Sequence, residues 1–320
     1  MNMPATGEKT EFAAPDGRGP VVVRRPAAGP PAQDWLTDNR ARIDDLVTTH
    51  GGVLLRDLGF TSVSEFNRAV QLFSPDLLDY VHRSTPRTKV GGRIFSATEY
   101  PADRTIPLHN ENSFTDAWPA RISFFCLVAA EHGGQTPTAD SRAVYRRIDP
   151  AVRERFEREG VLYVRNYTEG VDLSWQEVFQ TGDRAQVERY CAAHGIEFRW
   201  RDRSPALTTR QRCQASVRHP ATGEPVWFNQ AHLFHLSALE PGEQASLIEG
   251  LGRDNVPRDA FYGDGSPIEP EVLRHVRDAY EQEKTLFTWQ RGDLMMLDNL
   301  LFAHGRSPFT GTRKIVVAMS

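Results

Sequence analysis

The chain has 320 residues, of which 39% are hydrophobic, enough to bury a large core, and enzymes of this length are commonly built as one domain. Lys and Arg number 38 against 42 Asp and Glu, and the net charge of -4 gives no general attraction to phosphate backbones or anionic membranes. Neither nucleic acid nor a membrane is an expected partner.

Met1 to Gly19 mix Gly, Pro, Glu and Lys without an apolar run, which argues against a signal peptide or spanning helix and leaves the cytoplasm as the expected location. Residues 1–20 are expected to form a disordered tail and 21–320 one domain. Val21-Val22-Val23 reads as a short strand. Asp34 to His50 follows helical periodicity and stops at Gly51-Gly52, after which Val53 to Arg56 resumes as a strand. Ser62-Val63-Ser64-Glu65 has capping-box form and starts a helix with Phe66, Val70 and Phe73 on one face.

The apolar run from Ile122 to Ala129 predicts a buried strand, and further strands are expected at Gly160 to Val164 and Val226 to Phe228. Helices are expected over Arg184 to His194, Glu243 to Leu251 and Pro270 to Lys284. Asp293 to Leu297 and Lys314 to Met319 read as two strands bracketing a loop that carries His304. A strand-rich region closed by strands at both ends predicts a sandwich or barrel flanked by helices. Cys126, Cys191 and Cys213 are widely spaced and odd in number, which fits reduced packing thiols.

His109-Asn110-Glu111 supplies an imidazole and a carboxylate two positions apart. On or beside a strand both side chains face one way, with Asn110 turned aside. With His304, from Ala303-His304-Gly305-Arg306, the set becomes two imidazoles and one carboxylate. That donor set suits mononuclear iron with positions left open for a co-substrate and O2, and it also suits a zinc hydrolase. Arg313 and Thr136 are placed to bind a second carboxylate through a planar two-pronged donor and a hydroxyl. A metal-chelating 2-oxo acid with a distal carboxylate, such as 2-oxoglutarate, needs that anchor.

Other polar residues have blander readings. His232 and His235, with Asn229 and Gln230, lack a nearby carboxylate and read as supporting, substrate-facing or core residues. Asp298-Asn299 reads as a brace for the His304 loop. Arg165-Asn166-Tyr167, Arg93 and Glu99-Tyr100 read as structural polar groups before substrate contacts, and Trp118, Phe124 and Phe125 read as core.

Three blocks, Pro107 to Phe114, Gly133 to Ser141, and Leu297-Asp298-Asn299 through His304-Gly305-Arg306 to Arg313, resemble the taurine dioxygenase (TauD/TfdA)-like, clavaminate synthase-like superfamily in content and order. The resemblance runs from about Gly51 to the C-terminus. It implies a mixed α/β chain with a mainly β core, a double-stranded β-helix of the jelly-roll, cupin-like kind with flanking helices. It implies Fe(II) as cofactor with 2-oxoglutarate and O2 as co-substrates. Residue by residue, it makes His109, Glu111 and His304 the iron ligands and Arg313 with Thr136 the 2-oxoglutarate anchors. The His304 to Arg313 interval is shorter than in some relatives, which leaves Arg306 as a rival anchor.

Glu111 departs from the Asp of taurine dioxygenase itself and agrees with the clavaminate synthase-like branch, whose members resemble amino-acid hydroxylases. A carboxylate at this position argues against the related halogenases, which lack it. The implied reaction is hydroxylation of an unactivated C–H bond in a small molecule of secondary metabolism, an amino acid or an aminoacyl group presented by a peptidyl carrier protein. Desaturation, epoxidation or cyclisation by the same chemistry stands as the alternative, and a zinc hydrolase or a non-catalytic sensor is more remote.

Overall fold

The computed structural model describes residues 11–12, 17–79, 87–98, 100–168, 170–202 and 206–320. The expectation of a disordered tail at 1–10 and 13–16 lies outside the described residues. Within the same stretch Glu11–Phe12 pairs antiparallel with Val22 and Val21.

An eight-stranded sheet carries the scaffold. Its centre is Arg121–Val128, flanked by Leu294–Asp298 and Lys314–Met319, with both partners antiparallel. Between their ends these strands are apolar apart from the buried Ser123, because both faces are covered. Alternation then sorts the side chains. Phe125, Leu294, Met296 and Val316 join Ile43, Phe66 and Val70 in one core, while Phe124, Cys126, Met295, Leu297 and Val317 join Phe228, Trp289 and Phe302 in another.

Across the second core lies a three-stranded sheet whose central strand, Phe302–Arg306, pairs with Ile106–His109 on one side and Thr138–Asp140 on the other. The two sheets with their flanking helices form the cupin-like, mainly β core of a mixed α/β molecule, the architecture that the sequence resemblance implies.

Most expected elements form within a residue or two of their predicted ends. The capping box is present, with Glu65 N donating to Ser62 Oγ at 3.3 Å and Ser62 N donating to Glu65 Oε2 at 3.0 Å. Two expectations need correction. The helix expected over Asp34 to His50 is two helices, Ala32–Asp38 and Arg40–His50, because the Asn39 amide donates to Trp35 O at 2.8 Å and closes the first helix from its own side chain. His304 lies on a strand, not in a loop: Ala303, His304 and Phe302 pair with Ala139, Thr138 and Asp140. Gly305 permits that pairing, since a Cβ there would sit 2.5 Å from Ile106 O and 3.2 Å from Pro137 Cγ. The three cysteines are free and buried, as expected.

Candidate metal centre and co-substrate pocket

His109 is the last residue of its strand and His304 is its direct cross-strand partner. Facing residues on adjacent strands bring side chains within contact distance, and the two imidazole centroids are 4.7 Å apart. Glu111 lies in the turn that follows, with Asn112 in a left-handed conformation at φ 54°. Its Oε2 is 3.7 Å from His304 Nε2. One ligand atom from each of His109, Glu111 and His304 falls within 4.8 Å of the other two.

The turn is clamped from below. Asn299 Oδ1 accepts from Glu111 N at 2.7 Å, and its amide donates to Glu111 O and Pro119 O, both at 2.9 Å. Asn110 points away from the triad, as expected, donating to Ser141 Oγ at 3.0 Å and Asn299 O at 2.7 Å. Gln230 donates to Asn110 O at 2.8 Å. Asn299 therefore braces the Glu111 turn, while Asp298 caps Leu300 N and Leu301 N ahead of the His304 strand.

The electrostatics suit a cation. Burial pushes His304 well below the ordinary imidazole value, with His109 and Arg87 pushing the same way. Burial also lowers His109, against an upward pull from Glu111. Both rings are thus neutral at pH 7, the form that donates a lone pair to a metal. His109 Nδ1 lies 2.8 Å from Pro107 O, which assigns its proton to Nδ1 and leaves Nε2 as the donor atom. His304 Nδ1 is buried without a hydrogen-bond partner among the described residues. Two neutral imidazoles and a carboxylate, converging from a sheet and a clamped turn, fit Fe(II) with positions to spare.

A cavity beside the triad is lined by Arg87, Thr98, Ile106, His109, Phe124, Thr136, His304, Arg306 and Arg313 among others. Phe124, expected as core, comes from the large sheet and packs edge-on against the His304 ring at 5.1 Å. Arg313 immediately precedes the last strand. Its Nε donates to Gly134 O at 2.9 Å, and its Nη2 lies 3.4 Å from Thr136 Oγ1, which also accepts from Trp289 Nε1 at 3.0 Å. Gly134 has φ 68°, and a Cβ there would come within 3.0 Å of Arg313 Cδ. Burial, with Arg306 nearby, pushes the Arg313 guanidinium down to about 10.

Arg306 lines the same cavity, but both its Nη atoms are engaged by backbone carbonyls, which leaves only the buried Nε without a partner among the described residues. Nη1 donates to Tyr100 O at 2.9 Å, and Nη2 donates to Pro101 O at 2.5 Å and Arg104 O at 2.7 Å. Arg87, unmarked by the sequence, donates from Nη2 to Glu111 Oε2 at 2.8 Å, both side chains buried.

The other candidates stand apart from the triad. His232 stacks on Tyr280 with centroids 4.7 Å apart, and its Nε2 lies 3.0 Å from Leu108 O. His235 Nδ1 accepts from Ser237 N at 3.1 Å. Arg165 is buried over the Tyr167 ring, and Arg93 donates to Leu77 O at 2.5 Å. Glu99 lies outside the described residues.

Burial holds His232 at about 3. Its unfolded value is near 6.5, so as pH falls the unfolded chain takes up the proton first, and the stability present above about pH 6.5 is lost below it. His304 shifts with the same sign. Metal-free protein should lose about 1.4 kcal/mol per pH unit from His232 between pH 6 and 5, with His304 adding to the loss in the same direction. Denaturant unfolding at stepped pH checks this, and a flat profile over that interval contradicts it.

A second, larger cleft of about 720 Å³ shares Thr98 and Ile106 with this cavity and is walled by Pro107, Phe234, Leu236, Leu239 and Arg258 among others. Arg104 and Glu243 form an exposed ion pair there, 3.5 Å apart. Among the described residues no helix is long and apolar enough to cross a membrane.

The family described as "Taurine catabolism dioxygenase TauD, TfdA family" matches residues 21–319. The dapdiamide synthesis protein DdaC of Enterobacter agglomerans is 40% identical over 277 residues, covering 87% of this chain and 84% of that protein. A clavaminate synthase-like protein of Arabidopsis thaliana is 30% identical over 318 residues, covering 94% and 93%. Among solved structures, PvcB of Pseudomonas aeruginosa superposes with a TM-score of 0.57 at 16% identity, over 100% of this chain and 94% of that one. An asparagine oxygenase in complex with Fe(II), 3-hydroxyasparagine and succinate superposes with a TM-score of 0.53 at 13% identity, over 89% and 79%. The chain belongs to the TauD, TfdA family and is an Fe(II)- and 2-oxoglutarate-dependent oxygenase.

Proposed function

We propose that His109, Glu111 and His304 hold the iron, that Thr136 and Arg313 hold the distal carboxylate of 2-oxoglutarate, and that the enzyme hydroxylates an unactivated C–H bond of an amino-acid-related small molecule, free or presented by a peptidyl carrier protein. Residues 21–320 act as one oxygenase domain. Bound iron, with 2-oxoglutarate and O2, supplies the oxidant that converts C–H to C–OH while succinate and CO2 are formed.

The observation that carries the reading is the meeting of three ligand atoms within 4.8 Å beside a cavity lined by Arg313 and Thr136. Burial disfavours an uncompensated guanidinium charge, so Arg313 gains when an anion enters. Thr136 adds a hydroxyl whose position Trp289 fixes. Neutral imidazoles present their lone pairs without first losing protons. Phe124 shields one side of His304 and keeps bulk water from it.

The larger cleft supports entry of the primary substrate past Thr98 and Ile106, separately from the co-substrate pocket. At 40% identity, the relative named for dapdiamide synthesis supports a place in secondary metabolism. The decisive assay adds Fe(II) and 2-oxoglutarate anaerobically, follows the visible metal-to-ligand charge-transfer band, then admits O2 and measures succinate. Amino acids and carrier-tethered aminoacyl groups are next compared for acceleration of that turnover and for mass. Gain of one oxygen is expected; loss of two hydrogens would instead assign desaturation or cyclisation.

A further inference from the structure

Arg87 enters the centre from the edge of the large sheet. It precedes a hairpin, Lys89–Gly91 with Ile94–Ser96, that is pinned to the last strand through Ser96 opposite Val316 and Phe95 opposite Val317. Thr88 N donates to Ser96 Oγ at 2.8 Å and Ser96 N to Thr88 O at 2.7 Å, so the backbone beside Arg87 is fixed. From there the side chain passes Met319, whose Sδ lies 3.8 Å from Nη1, and ends on Glu111. The Arg87 side chain is 4% exposed and that of Glu111 3%.

A sealed ion pair adds little net stability, because desolvation offsets most of its attraction. Its location gives it another use. An unrestrained carboxylate can turn and offer both oxygens to an ion, occupying two positions. Here the held oxygen, Oε2, is also the one 3.7 Å from His304 Nε2, so the guanidinium fixes which edge of the carboxylate meets the ion and stops it turning to offer both oxygens. Hydrogen bonds to ligating carboxylates set their orientation, and losing one commonly costs about tenfold or more in metal affinity or activity.

We propose that Arg87 is a positioning residue for the metal centre: by holding Oε2 of Glu111 it restricts the carboxylate to one position on the ion, and so preserves the adjacent positions that a chelating 2-oxo acid requires. This rests on Glu111 being a metal ligand. The guanidinium also repels the ion it helps to arrange, so its removal weakens co-substrate chelation without weakening metal binding. A simple collapse of the site would weaken both.

The test uses full-length protein carrying Arg87→Met or Arg87→Lys, with Glu111→Ala as control. Co(II) affinity is measured first, and 2-oxoglutarate affinity is then read from the anaerobic Fe(II) charge-transfer band. Arg87→Met should bind Co(II) at least as tightly as the parent while its 2-oxoglutarate dissociation constant rises about tenfold or more. Arg87→Lys, which keeps a donor on Oε2, should restore 2-oxoglutarate binding to within about threefold of the parent. Parent-like 2-oxoglutarate binding in Arg87→Met overturns the proposal. If Arg87→Met does not fold, tenfold weaker 2-oxoglutarate binding in folded Arg87→Lys overturns it instead. Unchanged Co(II) affinity in Glu111→Ala would instead remove the ligand assignment beneath it.

Discussion

His304→Ala should reduce 2-oxoglutarate turnover to background and strip iron from the chain while leaving the fold intact. The side chain lies in the middle of a three-stranded sheet, and its backbone pairs with His109 on one side and Thr138 on the other, pairings that Ala retains. Its Nδ1 has no hydrogen-bond partner among the described residues, so truncation strands no protein group that depended on that atom. The stability change should stay near the common range of about 0.5–3 kcal/mol for a buried truncation. Glu111→Ala is a poorer test of the same point, because it leaves Arg87 buried beside a lost counter-charge at a cost of about 3–5 kcal/mol. Iron content per chain and succinate formation report the outcome together. A folded His304→Ala variant that retains stoichiometric iron and turns over 2-oxoglutarate would contradict the ligand assignment.

Arg313→Ala should act on the co-substrate rather than the metal. A hydrogen bond to a charged group contributes about 1.5–3 kcal/mol, which corresponds to a rise in KM for 2-oxoglutarate of roughly ten- to a hundredfold. Iron binding should be unaffected. Arg306→Ala provides the contrast. Its guanidinium ties down the carbonyls of Tyr100, Pro101 and Arg104, so its loss should lower Tm and loosen that segment, with the KM for 2-oxoglutarate within about threefold of the parent after refolding. The reverse pattern, a large KM effect from Arg306→Ala and none from Arg313→Ala, would move the anchor to Arg306.

These two arginines show where sequence reasoning stops. Both follow His304 within ten residues, and only the structure distinguishes one whose Nη atoms go to a loop from one set against Thr136. The apolar strands and capped helices were legible because periodicity and caps act locally. Thr138–Asp140, Leu207–Cys213 and Arg258–Tyr262 were not, since their polar residues are buried by partners distant in the chain. Phe302–Arg306 reads as a loop in sequence for the same reason: His304 and Arg306 are polar yet inward, and the pattern of a buried strand is broken by the residues the site needs. Arg87 left no mark at all, because a buried arginine looks in sequence like any solvated one. The triad alone would have served zinc as well as iron. The block around Thr136 and Arg313, and the family it belongs to, separated the two.

The central claim is that one ion and one dicarboxylate meet at the residues named, and a crystal structure from protein loaded anaerobically with Fe(II) and 2-oxoglutarate tests it most directly. Iron, identified by anomalous scattering, is expected about 2.0–2.2 Å from a nitrogen of His109, a nitrogen of His304 and a carboxylate oxygen of Glu111. The distal carboxylate of 2-oxoglutarate should lie on Arg313 and Thr136. Iron bound without any one of the three ligands, or the distal carboxylate seated on Arg306 alone, would contradict it.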